Sequence, residues 1–440
     1  MEEDNPMLNC HVKSYGAVGD GVTMDTAAIQ AAIDACGNAG GGQVILEAGA
    51  FLCGRIDLKS GVELHIVRDA VLLGSTNAAD YPELESDFWR PEYAPRFNRR
   101  CFIYAENCKD IAITGRGAID CQGENYMRPL PPEKAAKAHW PYERLPFPED
   151  FEDMGSKDLV PEQRIKCSFS PARVVFFIGC ENVLVEDVIM RNQPAGWSYW
   201  ICDCDQVHFH RAQIRANVQY PNNDGIHINC SRNVTVSDCN IACGDDAIVV
   251  RAYSMPLFKH TVCEKVCVTN CNLTSHSGAI RIAWTDDGVI RNCTFSNLNI
   301  TDSAVGIDIR LPGNPTPHRH SDQGDEPTHI ENLNFSNITI DRLYHEPVYI
   351  FIDDHCLCSA IRNLYFSNIH SFAVHAPTII GREDCPVENI YFNNCHFIQK
   401  KRDEFDPNEP GLKNERESTL MPCFRHVKNL VMQDTVMTIL

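Results

Sequence analysis

The chain has 440 residues, 44% of them hydrophobic and 22% charged, with 22 cysteines and a formal net charge of −20. Such a composition is ordinary for a folded soluble protein, and the acidic excess excludes nucleic acid as a partner, because phosphate binding needs basic surface. No apolar run reaches the roughly 18 residues of a transmembrane helix, so no membrane partner is expected either.

The first residues, MEEDNPMLNC, carry neither a basic n-region nor an apolar h-region. A bacterial cytoplasmic location is therefore expected, with secretion left only for a chain whose leader has been removed. Most cysteines sit inside strand-like phrases such as DCNIAC and KVCVTNC, where Cys behaves as a small apolar residue. They are expected to be reduced and packed. The pairs Cys202/Cys204 and Cys356/Cys358 lack the spaced partner pairs of a zinc site, so no metal and no cofactor is expected.

The first predicted element is a helix. Asp25 or Thr26 caps it, Ile29, Ala32, Ile33 and Cys36 share one face, and Gly37 ends it. Residues of about 8–40 thus form an N-terminal segment with a capping helix. From about residue 41 the chain reads as coils. One phrase, Asn-apolar-x-apolar-x-x-x-x-apolar, starts at Asp110, Asn182, Gln206, Asn233, Lys265, Asn292, Asn332, Asn363, Asn389 and Asn429. From Asn182 onward the starts are 24, 27, 32, 27, 40, 31, 26 and 40 residues apart. Each copy is a period-2 strand, a turn rich in Asn, Asp and Ser, and a second short strand.

Variable spacing on a constant rung points to an all-β solenoid, a single-stranded parallel β-helix, because insertions can bulge from one corner of a coil. Stacking at about 4.8 Å per coil would place the recurring Asn in a ladder of amides. Sequons such as NVT and NIT are then structural. Three non-repetitive stretches, near 80–100, 125–170 and 312–329, read as loops over one face rather than separate domains, so residues 1–440 form one domain. His318, Arg319 and His320 in the last stretch are either substrate contacts or a solvated loop.

The chemistry lies in two rungs. NNDG at 222–225 precedes GDD at 244–246, with 245 − 224 = 21 residues between Asp224 and Asp245. One coil apart means side by side, so Asp224, Asp245 and Asp246 form one patch of three carboxylates. They cannot all keep ordinary pKa values near 3.9, and at least one is raised. A carboxyl that keeps its proton serves as general acid while a second activates water across a gap of about 6.5–9.5 Å. A plain Asp-rich turn is the alternative.

At these residues the chain resembles the polygalacturonase-type glycoside hydrolases of family 28, right-handed parallel β-helices that hydrolyse pectin with inversion. Their signature runs NTD, (G/Q)DD, GHG and RIK. The matching segments are Asn222-Asn223-Asp224, Gly244-Asp245-Asp246 and Ser275-His276-Ser277. The segment from Tyr15 to Ile33, YGAVGDG…DTAAIQAAI, also resembles the N-terminal stretch of many pectin-acting β-helices. The resemblance implies that Asp245 is the general acid and that Asp224 and Asp246 hold and deprotonate water. It implies that His276 hydrogen-bonds within the carboxylate group, and it places Asn222 at the substrate.

No RIK is present. GIDIR at 306–310 puts Asp308 where the family has Arg and Arg310 where it has Lys. An Asp there is expected to repel a uronate, with Arg281 or Arg251 as substitutes that grip it in bidentate fashion, or as ladder residues paired with neighbouring Asp. Trp197 and Trp284 are candidate sugar platforms or packing residues.

The sequence thus predicts an inverting hydrolase with an oligosaccharide as its partner, probing an α-galacturonoside from the chain end. A neutral sugar such as a rhamnoside is the alternative substrate. Alternatives of another class are a polysaccharide lyase and a carbohydrate-binding β-helix. Oligomeric state is not fixed.

Overall fold

The computed structural model describes residues 8–94, 99–136, 138–145, 173–284, 287–312, 326–400 and 422–440. Most of the predicted 125–170 and 312–329 stretches, with His318, Arg319 and His320, lies outside the described residues. Among the described residues no helix is long and apolar enough to cross a membrane. The chain divides into two compact units, residues 1–127 with 144–216, and residues 128–143 with 217–440.

Near the start of the first unit lies the predicted helix, α1 (Thr26–Asn38), whose Ile29, Ala32, Ile33 and Cys36 are fully buried. Its ends differ from the prediction. Asp25 stands at the N-cap, yet its carboxylate accepts from the Val18 and Gly19 amides at 2.7 and 3.0 Å rather than from the helix. Gly37 lies inside the helix, where a Cβ would press on the Lys59 side chain. The chain leaves through Gly40 and Gly41 instead, whose φ values of +91° and +130° suit glycine.

Beyond α1 the first unit is a stack of parallel coils. One face runs Leu8–His11, Gly42–Leu46, Val62–Ile66, Lys109–Thr114, Glu181–Glu186 and Asp205–His210, each strand paired in parallel with the next. Another runs Ile56–Asp57, Cys101–Glu106, Arg173–Ile178 and Trp197–Cys202. The 80–100 stretch is packed rather than splayed over a face. Trp89 is buried, stands edge-on to Phe176 at 5.2 Å and donates its indole N–H to the Tyr104 hydroxyl at 2.8 Å.

The second unit repeats this plan. Six strands form the face that matters for function: β1 (Ile226–Asn229), β2 (Ile248–Arg251), β3 (Gly278–Ile282), β4 (Val305–Leu311), β5 (Val348–Ile352) and β6 (Thr378–Ile380). All pair in parallel, with Ile226, Ile248, Ile280, Ile307 and Val348 at one level. On another face the two short strands of a rung fuse into single long ones, Val289–Thr301, Thr328–Leu343 and Cys358–Ala373.

The recurring Asn has a backbone reason. Every described rung start has positive φ, for example Asn233 at 55°, Asn332 at 57°, Asn363 at 58° and Asn429 at 57°. Among residues with a Cβ, Asn tolerates that left-handed conformation best. The amides then form the expected ladder: Asn332 donates to Asn292 at 3.1 Å, Asn363 to Asn332 at 2.9 Å, Asn389 to Asn363 and Asn429 to Asn389 at 2.8 Å. A second ladder runs through Asn270, Asn297, Asn337, Asn368 and Asn394. Inside the coils Phe295, Phe335, Phe366 and Phe392 stack at 5.0, 5.0 and 4.8 Å. The described cysteines are free, and all but Cys267, Cys358 and Cys423 are buried.

Candidate active site

The turns that lead into β1 and β2 carry the predicted carboxylates. Asp224 and Asp246 stand two residues ahead of the paired Ile226 and Ile248, so they occupy one level of adjacent coils. The turns are pinned by the Gly225 amide donating to the Asp246 carbonyl at 2.9 Å. Gly244 is required by close approach, since a Cβ there would run into the Tyr220 carbonyl. Its amide donates to Asn223 Oδ1 at 2.6 Å, and its carbonyl accepts the Trp140 indole N–H at 2.6 Å. Trp140 belongs to a small hairpin in residues 128–143, closed by Leu130 donating to the Pro141 carbonyl at 2.8 Å.

Asp224, Asp245 and Asp246 each offer an oxygen to a cluster in which these atoms lie within 4.8 Å of one another. That is tighter than the predicted gap of about 6.5–9.5 Å, because coils stack at about 4.8 Å and the side chains converge. Asn222, in a left-handed conformation, donates to Asp245 Oδ2 at 2.7 Å. Sequence reasoning missed His227, whose Nε2 lies 2.8 Å from Asp224 Oδ2, both side chains buried. It stands three residues after Asp224, and strand alternation alone would not bring the two side chains together; the turn at Asp224 and Gly225, ahead of β1, does.

Burial is the largest single influence on Asp246 and pushes it up, but the Arg281 charge and the hydrogen bonds from Arg281, the Gly278 amide and Ser277 together outweigh it and hold the carboxyl below its ordinary range. Arg281 Nε and Nη2 each lie 3.1 Å from Asp246. Its Nη1 reaches Asp308 at 2.8 Å, and Arg310 Nη2 reaches the same oxygen at 2.9 Å. This corrects the expectation that Asp308 repels a uronate. Asp308 is fully buried and bridged by two guanidiniums, since Arg281 faces it across β3 and β4. Arg281 is therefore held by its Asp neighbours. Arg310 is the more open of the two, with 21% of its side chain exposed against 4%.

Two further candidates are engaged elsewhere. Arg251 pairs with Asp287 at 2.6 Å rather than facing the carboxylates. Trp197 belongs to the first unit and is buried, 5.8 Å from Trp200 and 5.4 Å from Arg173, which makes it a packing residue there. Trp284 is 37% exposed and lies over the guanidiniums of Arg281 and Arg310 at 4.9 and 5.3 Å. His276 is buried, and its imidazole makes no hydrogen bond to the three carboxylates among the described residues, contrary to expectation. Burial, then the nearby His139, lower its pKa to about 4, so the ring is neutral.

Residues 157–265 match the pattern of the glycosyl hydrolases family 28, and residues 10–65 match that of the rhamnogalacturonase A/epimerase, pectate lyase-like group. A probable polygalacturonase of Vitis vinifera is 26% identical over 67% of this chain and 55% of its own. An exo-poly-alpha-D-galacturonosidase of Dickeya chrysanthemi is 29% identical over 54% of this chain and 41% of its own. The chain thus spans about half the length of these curated relatives. A hyperthermoactive exopolygalacturonase from Thermotoga maritima superposes with a TM-score of 0.72 at 20% identity, covering 98% of this chain and 92% of that one. The likeness shows the fold, a right-handed parallel β-helix.

Proposed function

We propose that the chain is a glycoside hydrolase of family 28 type, and that it hydrolyses the glycosidic bond of a pectin-type oligosaccharide, an α-galacturonoside released from the chain end, with inversion. The observation that carries the hydrolase reading is the three-carboxylate cluster on adjacent coils, in which Asp246 is held ionised with the help of Arg281. Inversion rests on the likeness to family 28 and not on the carboxylate gap. In the proposed reaction the Asp245 carboxyl gives its proton to the leaving glycosidic oxygen. Asp224 and Asp246 hold a water, which attacks the anomeric carbon and passes its proton to one of them. His227 positions Asp224 through their 2.8 Å contact. The uronate is assigned to Arg310 beside the exposed face of Trp284, because Asp308 is already neutralised. The printed activity of the Dickeya chrysanthemi relative supports action at a chain end. The buried cluster favours a hydrolase over a carbohydrate-binding β-helix, which has no need of three converging carboxylates.

The test is hydrolysis of oligogalacturonides of defined length beside neutral aryl glycosides, with the product anomer read by NMR. Single-sugar release with inverted configuration is expected, reduced about 10²–10⁴-fold in Asp245→Asn. Internal cleavage would overturn the chain-end assignment, and retention would overturn inversion. A product absorbing in the near ultraviolet would mean a lyase. Turnover of neutral glycosides alone would move the substrate to a rhamnoside-like sugar. No turnover, or turnover unchanged in the variant, would remove the catalytic assignment.

A further inference from the structure

Further along the same row of turns lies a second cluster. Glu346 stands two residues ahead of Val348, the level that Asp224 and Asp246 hold on their own coils. His345 precedes it, and His375 comes from the turn into β6 on the next coil, where Tyr349 pairs with Thr378. All three side chains are buried. Each offers one donor atom, and these atoms lie within 4.8 Å of one another. The stretch from Asp246 to Glu346 crosses three coils, or about 14 Å at about 4.8 Å each, too far for the second cluster to touch the bond being cut.

We propose that His345, Glu346 and His375 bind a first-row transition-metal dication, zinc foremost, that ties two successive coils together. Two imidazoles and one carboxylate are a zinc donor set, with nitrogen at about 2.0–2.1 Å and a similar oxygen distance. Tetrahedral bonds of that length put neighbouring donors about 3.3 Å apart. His375 Nδ1 and Glu346 Oε1 are already 3.3 Å apart. The two rings stand nearly perpendicular, at 86° with centroids 5.5 Å apart, so their nitrogens converge without stacking. The turns are anchored by backbone bonds, His345 N–H to the Ala304 carbonyl at 2.8 Å and His375 N–H to the His345 carbonyl at 3.4 Å. Binding thus needs only side-chain closure. A cavity of about 230 Å³ adjoins the cluster, lined by His375, Ser371, Phe397, Gln399 and Met437. The Ser371 hydroxyl, fully buried on that wall, has no hydrogen-bond partner among the described residues. The cavity meets the cluster at His375, the one proposed ligand that lines it.

The competing assignment is a plain imidazole–carboxylate hydrogen bond between His375 and Glu346. Tag-free protein would be stripped with a chelator, incubated with zinc or with cobalt, and passed over a desalting column before metal analysis. One retained equivalent per chain is expected, absent in His375→Ala and in Glu346→Gln but kept in Asp245→Asn, which controls for the other carboxylate cluster. The cobalt adduct should show visible d–d bands without the near-ultraviolet band of a thiolate ligand, separating this site from the cysteines. The melting temperature of wild type should rise with zinc, and that of His375→Ala should not. No retained metal in wild type, retention unchanged in His375→Ala, or a thiolate band would each overturn the proposal. The wild-type measurements decide it even if the variants fold poorly, and none of them depends on catalysis.

Discussion

Arg281 pairs with two carboxylates at once, Asp246 and Asp308, and that bears directly on the ionisation of the site. Burial alone would raise Asp246, and the guanidinium, with the hydrogen bonds from Gly278 and Ser277, reverses the direction. Replacing it should therefore raise the Asp246 pKa. The ionised form is lost as pH falls through that value, so the acid limb of kcat/KM against pH should move to higher pH in Arg281→Gln. Arg281→Lys should move it less, since it keeps the charge but loses the two-pronged grip. An unmoved limb in Arg281→Gln would detach Asp246 from catalysis.

His276 makes a separate prediction about stability. Its pKa falls from 6.5 to about 4 on folding, so the unfolded chain binds the extra proton between those values. Its contribution is complete above pH 6.5 and fades as pH drops toward 4, on the order of 3 kcal/mol in all. Urea melts across that window should be flatter for His276→Asn. Of the site, Asp224, Asp245 and Asp246 were legible because a single 21-residue spacing brings them together, while Asn222 came in through the family motif as a substrate contact and is found donating to Asp245. Asp308 was misjudged because its charge is visible in sequence while the pairing of Arg281 with Asp308 across coils is not. His227 was missed for a local reason, since a spacing of three residues does not reveal that the turn ahead of β1 turns Asp224 toward it.

On the scale of elements, the rung start does two things, taking up a left-handed backbone and passing an amide bond to the next coil. The two can be separated at Asn363, where φ is 58° and both ladder bonds are made. Glycine keeps the backbone freedom and loses the amide, whereas alanine loses both. Asn363→Ala should be less stable than Asn363→Gly by about 1–2 kcal/mol in urea melts, the cost of a Cβ in that conformation. Equal stability would leave the amide bonds alone as the reason for Asn. The coils themselves were legible because the apolar period and the Asn recur together. The end of α1 was not. Gly37 looked like a terminator because sequence shows a glycine but not the Lys59 side chain lying against it. The fused strands, such as Cys358–Ala373, were also unforeseen, since their turn-like Ser-Asn continues the ladder by a left-handed residue instead of breaking it.

For the whole molecule, a formal charge of −20 sets a field that a uronate oligomer must cross. The site does not reverse it. Asp224, Asp245, Asp246 and Asp308 outnumber Arg281 and Arg310, even with one carboxyl protonated, and Arg251 is matched by Asp287. Repulsion reaches about 30 Å at 0.01 M salt and about 8 Å at 0.15 M. Raising salt over that range should therefore increase kcat/KM for an oligogalacturonide several-fold, mainly through KM, and leave a neutral aryl glycoside unchanged. The gain should grow with the number of uronates, because each added carboxylate meets the same field. A fall in kcat/KM with salt would instead mean that Arg310 and its surroundings attract the substrate from a distance. The net charge would then be a property of surfaces remote from the cleft, and the uronate contact stronger than the buried pairs imply.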